Sequence, residues 1–178
     1  GQRVRDDLRA CAAVIEQGDD RVAFVSLDLI CVDECFVAVA KQRIAEEFAI
    51  PPDHVLVCAT HTHTGPEVRE FGAKVQRDME WLAALPDRIL EAVGQAVQRR
   101  RPATLRAGTG SSKGYAFNRL YRMADGTERM GRPKNGKGVL GPAGPVDEEV
   151  ITLGAVDEDG NLLGLLVKLV QLGRGQHL

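Results

Sequence analysis

The 178-residue sequence predicts an α/β fold: a mixed β-sheet flanked by helices, with a long irregular loop and a C-terminal β-hairpin. Three observations carry this expectation. Strand-like and helix-like periodicities alternate through the first half of the chain. Residues 111–148 then lose periodicity and fill with Gly, Pro and charge. Finally, two apolar runs flank the turn sequence Asp157-Glu158-Asp159-Gly160.

Taken in order, residues 8–15 (LRACAAVI) read as a strand, with helix left open by their alanines. EQGDD supplies a hairpin turn into residues 21–30 (RVAFVSLDLI), whose apolar and β-branched run marks a buried strand. Asp33 is placed to cap the helical segment ECFVAVAKQRIAEEF. There Phe36, Val37, Ala40, Ile44 and Phe48 recur at helical spacing, and Pro51-Pro52 stop the run. Residues 54–60 (HVLVCAT) form a second strand. Its separation from the first by a helix predicts a parallel pair.

A long helical pattern follows over residues 75–101, with Met79, Leu82, Leu85, Ile89, Val93 and Val97 on one face. Pro86 is expected to kink or divide it, and Arg99 to Arg101 suit its C-terminal end. ATLRAGTGSS reads as a third strand. Within the irregular stretch, Arg122–Arg129 form a small hairpin around Asp125-Gly126, and residues 132–147 an extended loop. The ending is a strand, a tight turn and a strand.

Length and composition bound the function. The chain is about one domain long, and the whole of residues 1–178 is read as a single domain, which the resemblance described below implies is incomplete. The net charge of −2 gives no electrostatic case for nucleic acid or an anionic membrane, and no run is long enough for a transmembrane segment. The chain opens on Gly1 without a charged-then-apolar leader, so no signal-peptide pattern is present. Cys11, Cys31, Cys35 and Cys58 lack zinc-finger spacing and are expected to be small buried thiols.

Two of the four histidines, His61 and His63, sit in ATHTHTGPEV, directly after the second apolar strand. In an extended backbone residues i and i+2 point the same way, so both imidazoles can project from the strand's C-terminal end. Ligands of open parallel sheets bind at such ends. Two imidazoles on one side can begin a zinc site, or one can hold the metal while the other moves protons beside it. A pair of loop histidines bonding the local backbone is the other reading of this spacing. Asp28, at the end of the neighbouring strand, is a candidate acceptor that orients a histidine ring, or a helix-capping residue.

The motif resembles the signature THTHSGP of the neutral/alkaline non-lysosomal ceramidase family, here THTHTGP with Thr64 in the serine's place. RVAFVSLDLICVD, FNRLYRMADGTERM and GPAGPVDEEVITLGAVDEDGNLLGLLVKL also resemble that family's N-terminal catalytic domain, in the same order, over residues 20–170. The resemblance implies a Zn2+-dependent hydrolase acting on a lipid or other small-molecule amide. In it His61 is a zinc ligand, His63 assists as acid or base or by hydrogen bonding the substrate, and Asn118 and Arg119 bind substrate, Arg119 holding an oxygen of the substrate or of the transition state. It also implies a secreted or periplasmic parent.

The sequence departs from the family where a second zinc histidine is expected, near Gly175; His177 is close by. The family's remaining ligands, a glutamate and a tyrosine, fall beyond this chain. Glu67-Val68 replace small residues at the expected pocket floor. Two alternatives therefore stand beside the hydrolase fragment. One is a non-catalytic or inactive fragment lacking a complete metal site. The other is an unrelated metallohydrolase using His61, His63 and Asp28.

Overall fold

Turn chemistry and side-chain alternation build the first sheet of the computed structural model, which describes residues 4, 6–68, 76–133 and 135–169. Strands β1 (Ala10–Gln17) and β2 (Asp20–Leu27) are antiparallel, joined by a two-residue turn in which Gly18 takes φ 59. That left-handed angle is one glycine adopts without steric cost. Strand β3 (Val55–Ala59) pairs parallel to β2 in the order β1-β2-β3, giving a mixed sheet as predicted.

Alternation decides which sheet face is covered. Ala23, Val25 and Leu27 are buried on one face of β2 and join Val55 of β3 in the core, while Leu56 and Cys58 point the other way and are exposed. β2 is thus buried on one face rather than throughout. The same geometry corrects the expectation of buried thiols: Cys11, Cys35 and Cys58 are exposed and Cys31 is partly so. Cys11 and Cys58 fall in register on either side of Ser26, on the face away from the core.

Helix α1 (Glu34–Phe48) buries Ala40 and Ile44, and Phe36 and Phe48 pack against the same cluster. It ends at Ala49, whose φ is 52, just ahead of Pro51 and Pro52. Asp33 is the N-cap by position, but its carboxylate makes no cap bond. It pairs instead with Arg77 Nη2 at 2.7 Å. The long helical pattern is divided, as Pro86 predicts, into α2 (Met79–Ala83) and α3 (Leu85–Gln98). In the first turn of α3 the missing proline N–H is not needed. Asp78 caps α2 by accepting from the Trp81 N–H at 3.0 Å. Leu82, Leu85, Ile89 and Val93 are buried as expected. Met79 is 58 % exposed, because α2 is too short to carry the apolar stripe of α3 back to it. Past the end of α3, Arg100 Nε donates to the Val97 carbonyl at 2.9 Å, and its guanidinium pairs with Glu16.

The chain forms two compact units, Gly1–Arg101 and Pro102–Leu178. In the second, strands β4 (Thr104–Ser111), β8 (Glu149–Val156) and β9 (Leu162–Leu169) form an antiparallel sheet in the order β4-β8-β9. The expected C-terminal hairpin is β8–β9. Asp157 closes its turn by accepting from the N–H groups of Asp159 and Asn161 at 3.1 and 2.7 Å.

A separate sheet in the order β6-β5-β7 comprises β5 (Leu120–Met123), β6 (Glu128–Met130) and β7 (Val139–Pro142). β7 corrects the expectation of an extended loop over 132–147. It is a four-residue strand whose glycine and proline mask any period, held by pairing to β5.

The β5–β6 turn is stabilised by charge. Asp125 accepts from the Thr127 hydroxyl at 2.6 Å and the Thr127 N–H at 3.0 Å, and pairs with Arg129. The Thr127 bonds, hydroxyl first, and then the Arg129 charge hold the Asp125 carboxyl below its ordinary value of 3.8. Because the folded value is depressed, the contribution of the turn is present above 3.8 and is lost as pH falls through the lowered folded value. Titration followed by NMR should show the Thr127 amide shifting with a midpoint below 3.8. A midpoint at or above 3.8 would show that the carboxylate does not hold this turn.

Candidate functional site

Parallel pairing of β2 and β3 brings their C-terminal ends, Leu27 and Ala59, side by side. Both following loops leave from this edge, and backbone bonds stitch them together. Thr60 N–H donates to the Leu27 carbonyl at 2.9 Å and Thr62 N–H to the Leu29 carbonyl at 3.2 Å. His61 lies between these two anchors.

The backbone at His61 is left-handed, with φ 67, not the extended conformation the i, i+2 argument assumes. Such a conformation costs a non-glycine residue on the order of 1–3 kcal/mol and persists only where surrounding contacts fix it. Here the flanking ladder bonds fix it, and the ring adds a third tie: His61 Nδ1 lies 2.7 Å from the Ile30 carbonyl oxygen. A carbonyl only accepts, so Nδ1 carries the proton. In the neutral ring, Nε2 is then left with a lone pair. This is the tautomer a metal ligand needs, set by a backbone acceptor. The His61 and His63 rings meet edge to face, with centroids 4.9 Å apart, and both residues are exposed.

The motif loop is pinned at its far end as well. Val68 is buried in the core cluster and the Glu67 carbonyl accepts from the Asp78 N–H at 3.0 Å. Gly65 packs closely: a side chain there would come within 3.1 Å of Leu8 Cδ1. The Asp28 carboxylate accepts from the Arg9 N–H at 3.0 Å and the Thr60 hydroxyl at 3.4 Å. It thereby holds the start of β1 and the entry to the motif loop, while Ile30 supplies the acceptor on His61.

Asn118 and Arg119 belong to the second unit, just before β5. Asn118 Oδ1 accepts from the Leu120 N–H at 2.9 Å, the Arg119 carbonyl accepts from the Gly131 N–H at 2.7 Å, and Arg119 is exposed. Gly175 and His177 lie outside the described residues. Among the described residues, no three or more His, Cys, Asp or Glu side chains are grouped as a metal site. The contact that sequence reasoning misses is the Ile30 carbonyl. A backbone acceptor has no residue-type signature, and only the pairing of the two loops reveals it.

No family model and no curated protein matches the chain. Solved ceramidase structures share its fold. One is neutral ceramidase from Pseudomonas aeruginosa, with TM-score 0.62 and 20% identity over 88% of this chain and 25% of that one. Another is a ceramidase complexed with C2, with TM-score 0.63 and 22% identity over 88% of this chain and 24% of that one. The chain therefore spans about a quarter of the length of the structures it resembles.

Proposed function

We propose that this chain is part of the catalytic domain of a ceramidase-like, zinc-dependent hydrolase that cleaves an N-acyl linkage in a lipid or related amide. In this reading both compact units belong to one domain. The observation that carries it is the His61 tautomer. A left-handed, triply anchored residue gives its Nδ1 proton to the Ile30 carbonyl and so leaves Nε2 as the nitrogen for a metal, at the C-terminal edge of a parallel strand pair. The shared fold with two ceramidase structures supports it.

In the proposed site, His61 Nε2 would be one ligand to zinc, and ligands outside the described residues would complete the set. Zinc would supply Lewis acidity toward the scissile carbonyl and a water acidic enough to act near neutral pH. The Ile30 carbonyl would keep the proton on Nδ1 and so hold the ring's lone pair toward the metal. His63, whose ring lies against that of His61, would take or return a proton, and its partner in the leaving step would be the departing amine. Arg119, with Asn118 beside it, would place a fixed positive charge for the oxyanion that forms as the carbonyl is attacked.

Hydrolysis of N-acyl amides by the purified chain, followed as released fatty acid, tests this reading. Activity removed by a chelator and restored by zinc is the expected result. Zinc bound tightly at His61 without hydrolysis of any N-acyl amide or ester would overturn the catalytic role. A second reading is a fragment with an incomplete metal site, supported by Gly175 standing where the resemblance implies a second zinc histidine. Zinc affinity separates the two, since two ligands bind weakly and a completed site tightly.

A further inference from the structure

Asp33 forgoes a bond that its residue type and its place both favour. It stands at the N-cap of α1 with φ −80 and ψ 147, where a carboxylate ordinarily accepts from an N–H of the first helical turn. Its carboxylate makes no such bond and goes to Arg77 Nη2 at 2.7 Å. Arg77 is committed in the same way. Its side chain is 30 % exposed, and its Nε is buried with no hydrogen-bond partner among the described residues. A guanidinium enclosed on one edge is costly without a countercharge, which sets this pair apart from a contact between two solvated side chains.

The two residues stand at opposite ends of the loops that build the site. Asp33 closes the loop that leaves β2 and follows Ile30 by three residues. Arg77 precedes Asp78, whose N–H ties the far end of the motif loop through the Glu67 carbonyl. The direction of the Ile30 carbonyl, which holds the His61 proton, depends on the backbone on both its sides. On the near side the Leu27 and Leu29 carbonyls are held by the Thr60 and Thr62 N–H groups. On the other side Cys31 and Val32 pack partly against the core, but among the described residues they make no backbone hydrogen bond to the motif loop. The next polar tie along the chain is the Asp33–Arg77 pair.

We propose that Asp33 and Arg77 are positioning residues for the candidate metal site: their ion pair fixes the stretch after Ile30 and so keeps the Ile30 carbonyl on His61 Nδ1. The consequence for zinc rests on the hydrolase reading, whereas the consequence for the imidazole does not. Two measurements on the full chain therefore test it, zinc affinity by chelator competition and the His61 tautomer by 15N NMR without metal. Asp33→Asn removes the charge, and asparagine caps a helix as well as aspartate does, so α1 keeps its N-cap. This variant should bind zinc about tenfold more weakly, as when an outer partner of a ligand is lost. Its His61 should pass from one tautomer, with the proton on Nδ1, to a mixture of two.

Arg77→Gln should do the same, and the double variant should be no worse than either single one, since both remove one interaction. Arg77→Lys restores a cation and should recover most of the loss. Asp87→Asn breaks a different ion pair of α1, Arg43 with Asp87 at 2.6 Å, and should change neither readout. A pair that only stabilises the fold would lower the urea midpoint and leave the tautomer as in the parent, and that result would overturn the proposal. Equal loss in Asp87→Asn would overturn it too, as would a parent whose tautomer is already mixed. A parent that binds no zinc would overturn the metal reading instead, while the tautomer of the variants would still decide the role of the pair.

Discussion

Replacing His61 is expected to lower the zinc affinity of the chain by more than about a hundredfold. Losing an outer-shell partner of a metal ligand typically costs 10–100-fold, and a ligand itself should cost more. Alanine alone would not give a clean answer. At φ 67 it must hold a left-handed backbone that is unfavourable to residues with a Cβ, and it also loses the bond to the Ile30 carbonyl. Loop strain and ligand loss would then be mixed.

Asparagine separates them, because it tolerates this backbone region better than most residues but has no imidazole lone pair. His61→Asn should bind zinc as weakly as His61→Ala while leaving the fold closer to that of the parent. Competition with a chromogenic chelator measures the affinity, and 15N NMR of the parent should show the His61 proton on Nδ1. An Asn variant that keeps the parent's affinity would remove His61 from the metal site. A proton found on Nε2 would remove the argument from the Ile30 carbonyl.

What the sequence reveals depends on the range of the interaction. The apolar run of β2, the helical spacing of Ala40 and Ile44, and the Pro86 break are local signals, and they place β1 to β3, α1 and α3 correctly. Asp125-Gly126 marks its hairpin for the same reason, since the turn is made by bonds spanning two residues. β7 escapes because its strand character comes from pairing with β5, not from its own glycine and proline.

Exposure of the cysteines is equally non-local, since it depends on which sheet face the helices cover. At the motif, the closeness of the two rings follows from their adjacency in the chain. The left-handed turn at His61 and the carbonyl that sets its tautomer arise from the loop after β2, some thirty residues earlier.

The second large effect expected is on stability, and it tests the assignment of the covered face. Ile44 is fully buried on α1, in the same cluster as Ile89 and Val93 of α3. Truncation to alanine removes three carbons from a close-packed site and should destabilise the first unit by about 2–5 kcal/mol. That is a large share of the roughly 5–15 kcal/mol that holds a typical domain folded.

Trp81, the chain's one tryptophan, lies in α2 against the Arg88 guanidinium, so its fluorescence reports unfolding of this unit. With a urea slope of about 1–3 kcal/mol/M, the midpoint should fall by at least about 0.7 M. Leu56→Ala provides the contrast. Leu56 is a residue of β3 but faces away from the core and is 56 % exposed, so its loss should cost under about 1 kcal/mol. The covered and the open side of the sheet are thereby distinguished by a difference in energy. If both substitutions cost the same, the open face of the sheet contributes to stability as the core face does. The one-sided core, and with it the explanation for the exposed Cys58, would then be wrong.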